Sequence, residues 1–483
     1  MKKAIFWGAL CALLLSACGG GQGDVASLSA LSISGASGRA MYPPFAEGTK
    51  HYAVGCNAQD ALTVSAISAD PNARVSVNRG PTSIGSASAS VAQPTGEQDI
   101  VVSVDNGPST TKYTLHCLAA DFPKVEIVQA DAAASTGLLL MSPSFTVNGA
   151  PVSYLVAMDN AGVPQFRRKI SGSVADFKRH PDGTYSYALR TGTNPSGIPD
   201  NVIVLLDARL TETGRVTTRG LTQTDDHDFL LTPQGNRIFI SYHTTVRNMI
   251  AFGLSATEPV GDSVIQEVTP AGTVVFQWST WDHIDLNDCK RTGFTGFPKE
   301  YAHVNSLDLA PDGAVIASFR GCGQILKIER PSGRVIWYLG GSRSNFTITG
   351  DRFNEFCGQH TVRETSTGSL ILFDNGIFCI GDRQARFGQF SRLVEYRLNT
   401  QTAQAIFVRD YALGGTYREF TRSQGSAQVL ANGNWLASWG NGPAMSVTEV
   451  TPGGIEVFAA RLTFAGSIAV SYRALRDETL TFD

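Results

Sequence analysis

The stretch H-V-N-S-L-D-L-A-P-D-G-A-V-I-A-S-F-R, residues 303–320, reads as a β-hairpin. Two apolar runs flank the tight turn P-D-G at Gly313, as antiparallel strands joined by a short loop require. His303 opens the outgoing run and Arg320 closes the returning one, so pairing brings them to the same end of the hairpin. Related turns recur at Gly137, Gly183, Gly235, Gly368 and Gly433, with spacings of 46, 52, 78, 55 and 65 residues once Gly313 is included. Insertions lengthen the third unit. Another marker, Gly162-V-P-Q-Phe166, returns as Gly333-R-V-I-Trp337 and Gly454-I-E-V-Phe458.

Six units of this size, each able to form four strands, predict a six-bladed β-propeller over residues 123–478. A parallel β-helix is the structural alternative, but its repeats are much shorter. Ahead of it, residues 27–119 carry short alternating strands such as Leu62-Val64-Ala66 and Ile100-Val102-Val104, separated by turn clusters. The order L-S-A-L-S-I-S-G, T-K-H-Y-A-V, S-A-D-P-N-A-R-V-S-V-N and T-T-K-Y-T-L resembles the cadherin-like β-sandwich modules of bacterial surface proteins. The expected fold class is therefore all-β, a six-bladed β-propeller preceded by a small β-sandwich. Composition agrees: 49 glycines and 17% charged residues fit a turn-rich β protein, and a net charge of −3 gives no basis for a nucleic-acid partner.

Residues 1–17 read as a signal peptide, with Lys2 and Lys3 before the apolar stretch Ala4–Leu15. The string Leu15-Ser16-Ala17-Cys18 resembles a bacterial lipobox, which implies lipidation at Cys18, a tether over 18–26 and a membrane partner through that lipid anchor. An ordinary secretory cleavage beside an incidental cysteine is the alternative. Gly19 and Gly20 favour an outer-membrane lipoprotein, facing the periplasm or the cell surface. Six cysteines remain in the mature chain, an even number that predicts three disulfides in an oxidising compartment. Cys56 with Cys117 is the pair expected within the N-terminal module.

His227, His303 and His360 each lie eight to ten residues before a turn glycine, and Asp176 and Ser426 hold the corresponding place in two other units. Arg190, Tyr242, Arg320 and Asn375 lie seven residues after their glycines. A radially repeated fold gathers both sets at one mouth of its channel. Three imidazoles suit zinc, but the permanent charge of Arg320 opposes a metal there; no metal and no cofactor is expected. Imidazoles, a guanidinium and a carboxamide together suit a tetrahedral oxyanion.

The strings H-V-N-S at His303, A-S-F-R at Arg320, G-Q-H-T at His360, L-F-D-N-G at Phe373 and D-D-H-D-F at His227 resemble the bacterial PAPS-independent arylsulfotransferases. That resemblance implies an aryl-sulfate sulfotransferase working by ping-pong kinetics on small-molecule aryl sulfates and phenols. It implies His360 as a nucleophile that becomes a sulfohistidine, with Arg320, Asn305 and His303 on the sulfuryl oxygens and His227 exchanging the phenol proton. The family's hydroxyl residue from the last blade is matched best by Ser426, with Ser423 next. Asn375 and Tyr242 are further substrate-binding candidates, although D-N-G also favours a simple turn. A disulfide from Cys357, with Cys379 as partner, would brace the nucleophile loop. Two other functions fit the same sequence: a non-catalytic, surface-tethered binding propeller, and a hydrolase of aryl sulfates or phosphates.

Overall fold

The computed structural model describes residues 26–35, 40–57, 59, 61–193, 199–292, 298–379, 381, 383–442 and 444–482. The expected signal peptide, Cys18 and all of the tether except Ala26 lie outside the described residues. The chain is all-β and divides into two compact units, Met1–Leu118 and Ala119–Asp483. Among the described residues no helix is long and apolar enough to cross a membrane.

In the first unit, strands Leu28–Ser34, Leu62–Ser68 and Ser86–Val91 form one sheet. Strands His51–Gly55, Ser109–Leu118, Asp99–Asn106, Arg74–Val77 and Ser83–Ile84 form the other, in that order. Period-two alternation buries Leu62, Val64 and Ala66 on one face, where they meet Val75, Val102 and Leu115 in a shared core. Cys56 and Cys117 are bridged inside this unit, as expected.

Among the described residues six sheets make up the second unit, antiparallel except where the short strands Lys299–Glu300 and Thr347–Thr349 pair in parallel. The hairpin expected over residues 303–320 forms: Val304–Leu309 pairs with Val315–Phe319 across Gly313, followed by Gln324–Ile328 and Val335–Gly340. Turns at Gly183, Gly235, Gly368 and Gly433 join the first two strands of four other sheets in the same way. Gly137 does not. Its sheet takes its edge strand, Ala474–Asp477, from the far end of the chain, and that strand pairs with Leu138–Met141. A Cβ on Gly137 would meet the Asp477 carbonyl oxygen at 2.5 Å, so the glycine permits this close approach rather than a hairpin turn. The opposite end is tied as well, because Lys124–Ala130 pairs with Glu456–Phe464 of the last sheet.

Core packing lies between successive sheets. Val315 and Ala317 face Ile238 and Ile240 of the preceding sheet, while Ile316 faces Leu370 and Leu372 of the following one. Both faces of such strands are buried, which is why the sequence there is nearly continuous in apolar residues. The ends of the edge strands are irregular. Asp176, His303, Thr361 and Gln424 all have positive φ, between 46° and 66°, and register shifts interrupt pairing beside Ala175, Val304 and His360. A β-branched residue such as Thr361 is strained in that region.

Candidate active site

His227, His303, Arg320 and His360 line one cavity of about 420 Å³, with Arg190, Asp226, Ser423, Gln424 and Tyr472. The four residues expected to do chemistry are thus brought together from three sheets. A larger cavity of about 1020 Å³ opens where the turns lie, lined by Pro181, Pro233, Pro311 and Gly313. Deep in the unit, Arg473 binds Asp176 and Asp228, and Lys178 binds the same two carboxylates.

His360 opens the strand His360–Glu364 and is buried. Its Nδ1 lies 2.7 Å from Asn375 Oδ1, and Asn375 Nδ2 donates to the carbonyls of Thr421 and Gln424 at 2.9 and 3.0 Å. Burial pushes the His360 pKa well down, Arg320 adds to this, and the hydrogen bond to Asn375 opposes it. The imidazole is neutral at physiological pH. Its Nε2 accepts the Gln424 N–H at 3.2 Å.

The His227 ring behaves oppositely. Burial alone would lower its pKa, but Asp225, Asp226 and Glu300 outweigh that and raise it to about 9. Asp225 Oδ1 sits 2.7 Å from Nδ1 and also accepts the His227 backbone N–H. Two neighbouring imidazoles therefore hold different protonation states, an arrangement suited to pairing a nucleophile with an acid. The His303 ring lies 4.9 Å from that of His227, edge to face. Glu300 Oε1 approaches His303 Nδ1 to 2.9 Å.

Arg320 begins the turn after its strand, with its N–H donating to the His303 carbonyl. The following Gly321 is required by space, since a Cβ there would lie 1.9 Å from the Tyr301 carbonyl oxygen. Burial lowers the Arg320 pKa and Glu300 opposes, leaving a charged guanidinium whose Nε has no partner among the described residues. Phe378 covers it at 5.2 Å. Disulfides Cys289–Cys322 and Cys357–Cys379 fix the segments beside Arg320 and His360, completing three bridges.

The remaining sequence candidates sit behind the cavity wall. Tyr242 stacks on His303 at 5.6 Å and donates its hydroxyl to the Val304 carbonyl. Asn305 is fully buried and donates to the Gln359 carbonyl at 2.8 Å. Ser426 is fully buried against Ala474, whereas Ser423 reaches the cavity. Asn375 faces His360 rather than the open space. Sequence reasoning missed Asp225, Glu300, Gln359, Gln424 and Tyr472. Asp225 opens the D-D-H-D-F string, two residues before His227, and Glu300 stands three residues before His303. Tyr472 carried no signal, because it precedes the strand that completes the first sheet from the far end of the chain. Three potential metal-ligand atoms cluster at Asp225, Asp226 and His227, where Asp225 already holds the His227 ring.

Residues 204–463 match the arylsulfotransferase (ASST) family, and the chain belongs to that family. No curated protein matches. Solved structures similar to the chain include a protein of unknown function from Bacteroides caccae, 11% identical over 70% of this chain and 98% of that one, with a TM-score of 0.41. A virginiamycin B lyase from Staphylococcus aureus is 11% identical over 70% and 88%, with a TM-score of 0.36. A puromycin hydrolase is 12% identical over 85% and 53%, with a TM-score of 0.35.

Proposed function

We propose that the protein moves a sulfuryl group from an aryl sulfate to a phenolic acceptor through a sulfohistidine at His360, without PAPS. The observation that carries this reading is the neutral His360 imidazole, whose Nδ1 faces Asn375 and whose Nε2 lone pair, at the cavity, is held among the described residues only by the Gln424 N–H. The Nε2 lone pair is released from the Gln424 N–H and forms a bond to sulfur as the bond from sulfur to the aryl oxygen breaks. The departing oxygen keeps the electron pair and takes a proton from the cationic His227. An acceptor phenol then returns that proton to His227 and attacks sulfur, releasing neutral His360.

Sulfuryl transfer of this kind, like loose phosphoryl transfer, asks for alignment and charge stabilisation more than for covalent help. Arg320 and His303 hold the sulfuryl oxygens, and Ser423 is the hydroxyl residue of the last blade. Asn305 acts through the Gln359 carbonyl, steadying the residue before the nucleophile. The six sheets of the second unit are read as six propeller blades, the first unit as a cadherin-like sandwich, and Cys18 as the lipid anchor of an outer-membrane lipoprotein. Three disulfides fit an extracytoplasmic location.

Release of 4-nitrophenol from 4-nitrophenyl sulfate tests the reading. Release that depends on an added phenol supports transfer, and His360→Asn abolishes it. Equal release with and without phenol would mean hydrolysis instead.

A further inference from the structure

Three of the side chains matched to the family, Asn305, Asn375 and Ser426, do not line the cavity, and Asn375 grips His360. Asn375 is fully buried, and its amide makes three bonds. Oδ1 sits 2.7 Å from His360 Nδ1, while Nδ2 donates to the carbonyl oxygens of Thr421 and Gln424. Reversing the amide would press Oδ1 against two carbonyl oxygens, so its orientation is settled by its partners. An acceptor facing Nδ1 requires a proton there. The ring is thereby held in the tautomer that leaves its lone pair on Nε2.

The same amide reaches the loop that touches Nε2. Gln424, at φ 66°, lends its N–H to that nitrogen at 3.2 Å, and both Ser423 and Gln424 line the cavity. Behind the loop, a Cβ on Gly425 would strike the Phe373 ring at 2.7 Å, so the loop is packed closely against the strand that leads into Asn375. Asn375 therefore ties the nucleophile and the loop facing its reacting atom to a single group.

We propose that Asn375 is a positioning residue that selects Nε2 of His360 as the attacking nitrogen and anchors the 421–424 loop, whose N–H that nitrogen exchanges for sulfur. This rests on the sulfotransferase reading for its consequence in turnover, but the tautomer it predicts exists in the free protein. The charged groups facing His360 are Arg320 and His227, with His303 beside them, and all three disfavour a second proton on the ring. In Asn375→Asp a carboxylate replaces the neutral acceptor, stabilises the imidazolium and loses both donors to the loop.

The test uses the full chain labelled with ¹⁵N-histidine, with His360 assigned by its loss in His360→Gln. Long-range ¹⁵N–¹H couplings are expected to show Nδ1 protonated and Nε2 bare in the wild type. In Asn375→Leu both tautomers should appear, and kcat should fall at least about 100-fold with KM little changed. In Asn375→Asp the acid limb of the kcat/KM profile should move to higher pH. A wild-type ring protonated on Nε2 overturns the proposal. So does a loss of rate in Asn375→Leu and Asn375→Asp with tautomer and pH profile both unchanged, which would mark a merely structural residue. If the wild type transfers no sulfuryl group, the functional reading fails, while the coupling measurement still decides the role of Asn375.

Discussion

At the scale of single residues, two imidazoles lining one cavity are held apart in protonation. His227 carries the proton because Asp225 grips its Nδ1, and His360 lacks it because the ring is buried beside Arg320. The His227 pKa in the fold, about 9, lies above its ordinary 6.5. Its contribution to stability is therefore complete below about pH 6.5 and is lost as pH rises through about 9. Thermal melts of the wild type should weaken across that interval by more than those of His227→Gln. In turnover, the donor half-reaction should decline above pH 9 as the acid is deprotonated. His227→Gln should slow it by roughly 10²–10⁴-fold for phenols that leave poorly, and by less for 4-nitrophenol. A uniform loss across leaving groups would contradict the proton role. That His227, His303, Arg320 and His360 share one cavity was legible in the sequence, because their distance from a turn glycine fixes which end of a hairpin they occupy. Their neighbours were less so: a register shift between Val304 and Ser306 breaks the two-residue count at Asn305, and Asn375 lies just past the end of its strand, where that count no longer applies.

Elements supply the stiffness that such positioning needs. The hairpin that opens at His360 ends at Asp374, which accepts from Arg383 and Arg392, both buried, and from the Cys357 N–H. Arg392 also binds Asp351 and Asp410. A buried group of this kind is costly to assemble and more costly to break, since losing one partner leaves an uncompensated charge. Asp374→Ala should lower unfolding free energy by about 3–5 kcal/mol in denaturant titrations. A loss below about 1 kcal/mol would show that the cluster does not brace the hairpin. Nothing in the sequence announced this cluster. Arg383 and Arg392 belong to no motif or repeat position, and only the packed structure reveals their partners.

For the molecule as a whole, the second unit is closed at both of its ends. The strand Lys124–Ala130 completes the last sheet and Ala474–Asp477 the first, while Tyr472 lines the cavity and Arg473 binds Asp176, Asp228 and the Thr361 hydroxyl. The final segment is thus both a structural closure and a wall of the site. A chain ending before Val470 should lose cooperative thermal unfolding, whereas one lacking only its last residue should melt as the full chain does. The repeat itself was plain in the spacing of the turn glycines. Its closure was not, since a strand that pairs across more than three hundred residues leaves no local period, and Gly137 imitates a hairpin turn. The central claim remains that His360 carries the sulfuryl group between donor and acceptor. Mixing the protein with 4-nitrophenyl sulfate in the absence of phenol, then mapping peptide masses, tests it most directly. The account predicts one added SO₃ on the peptide containing His360, discharged when phenol is supplied. Turnover with no such adduct, or an adduct that phenol does not discharge, would contradict it.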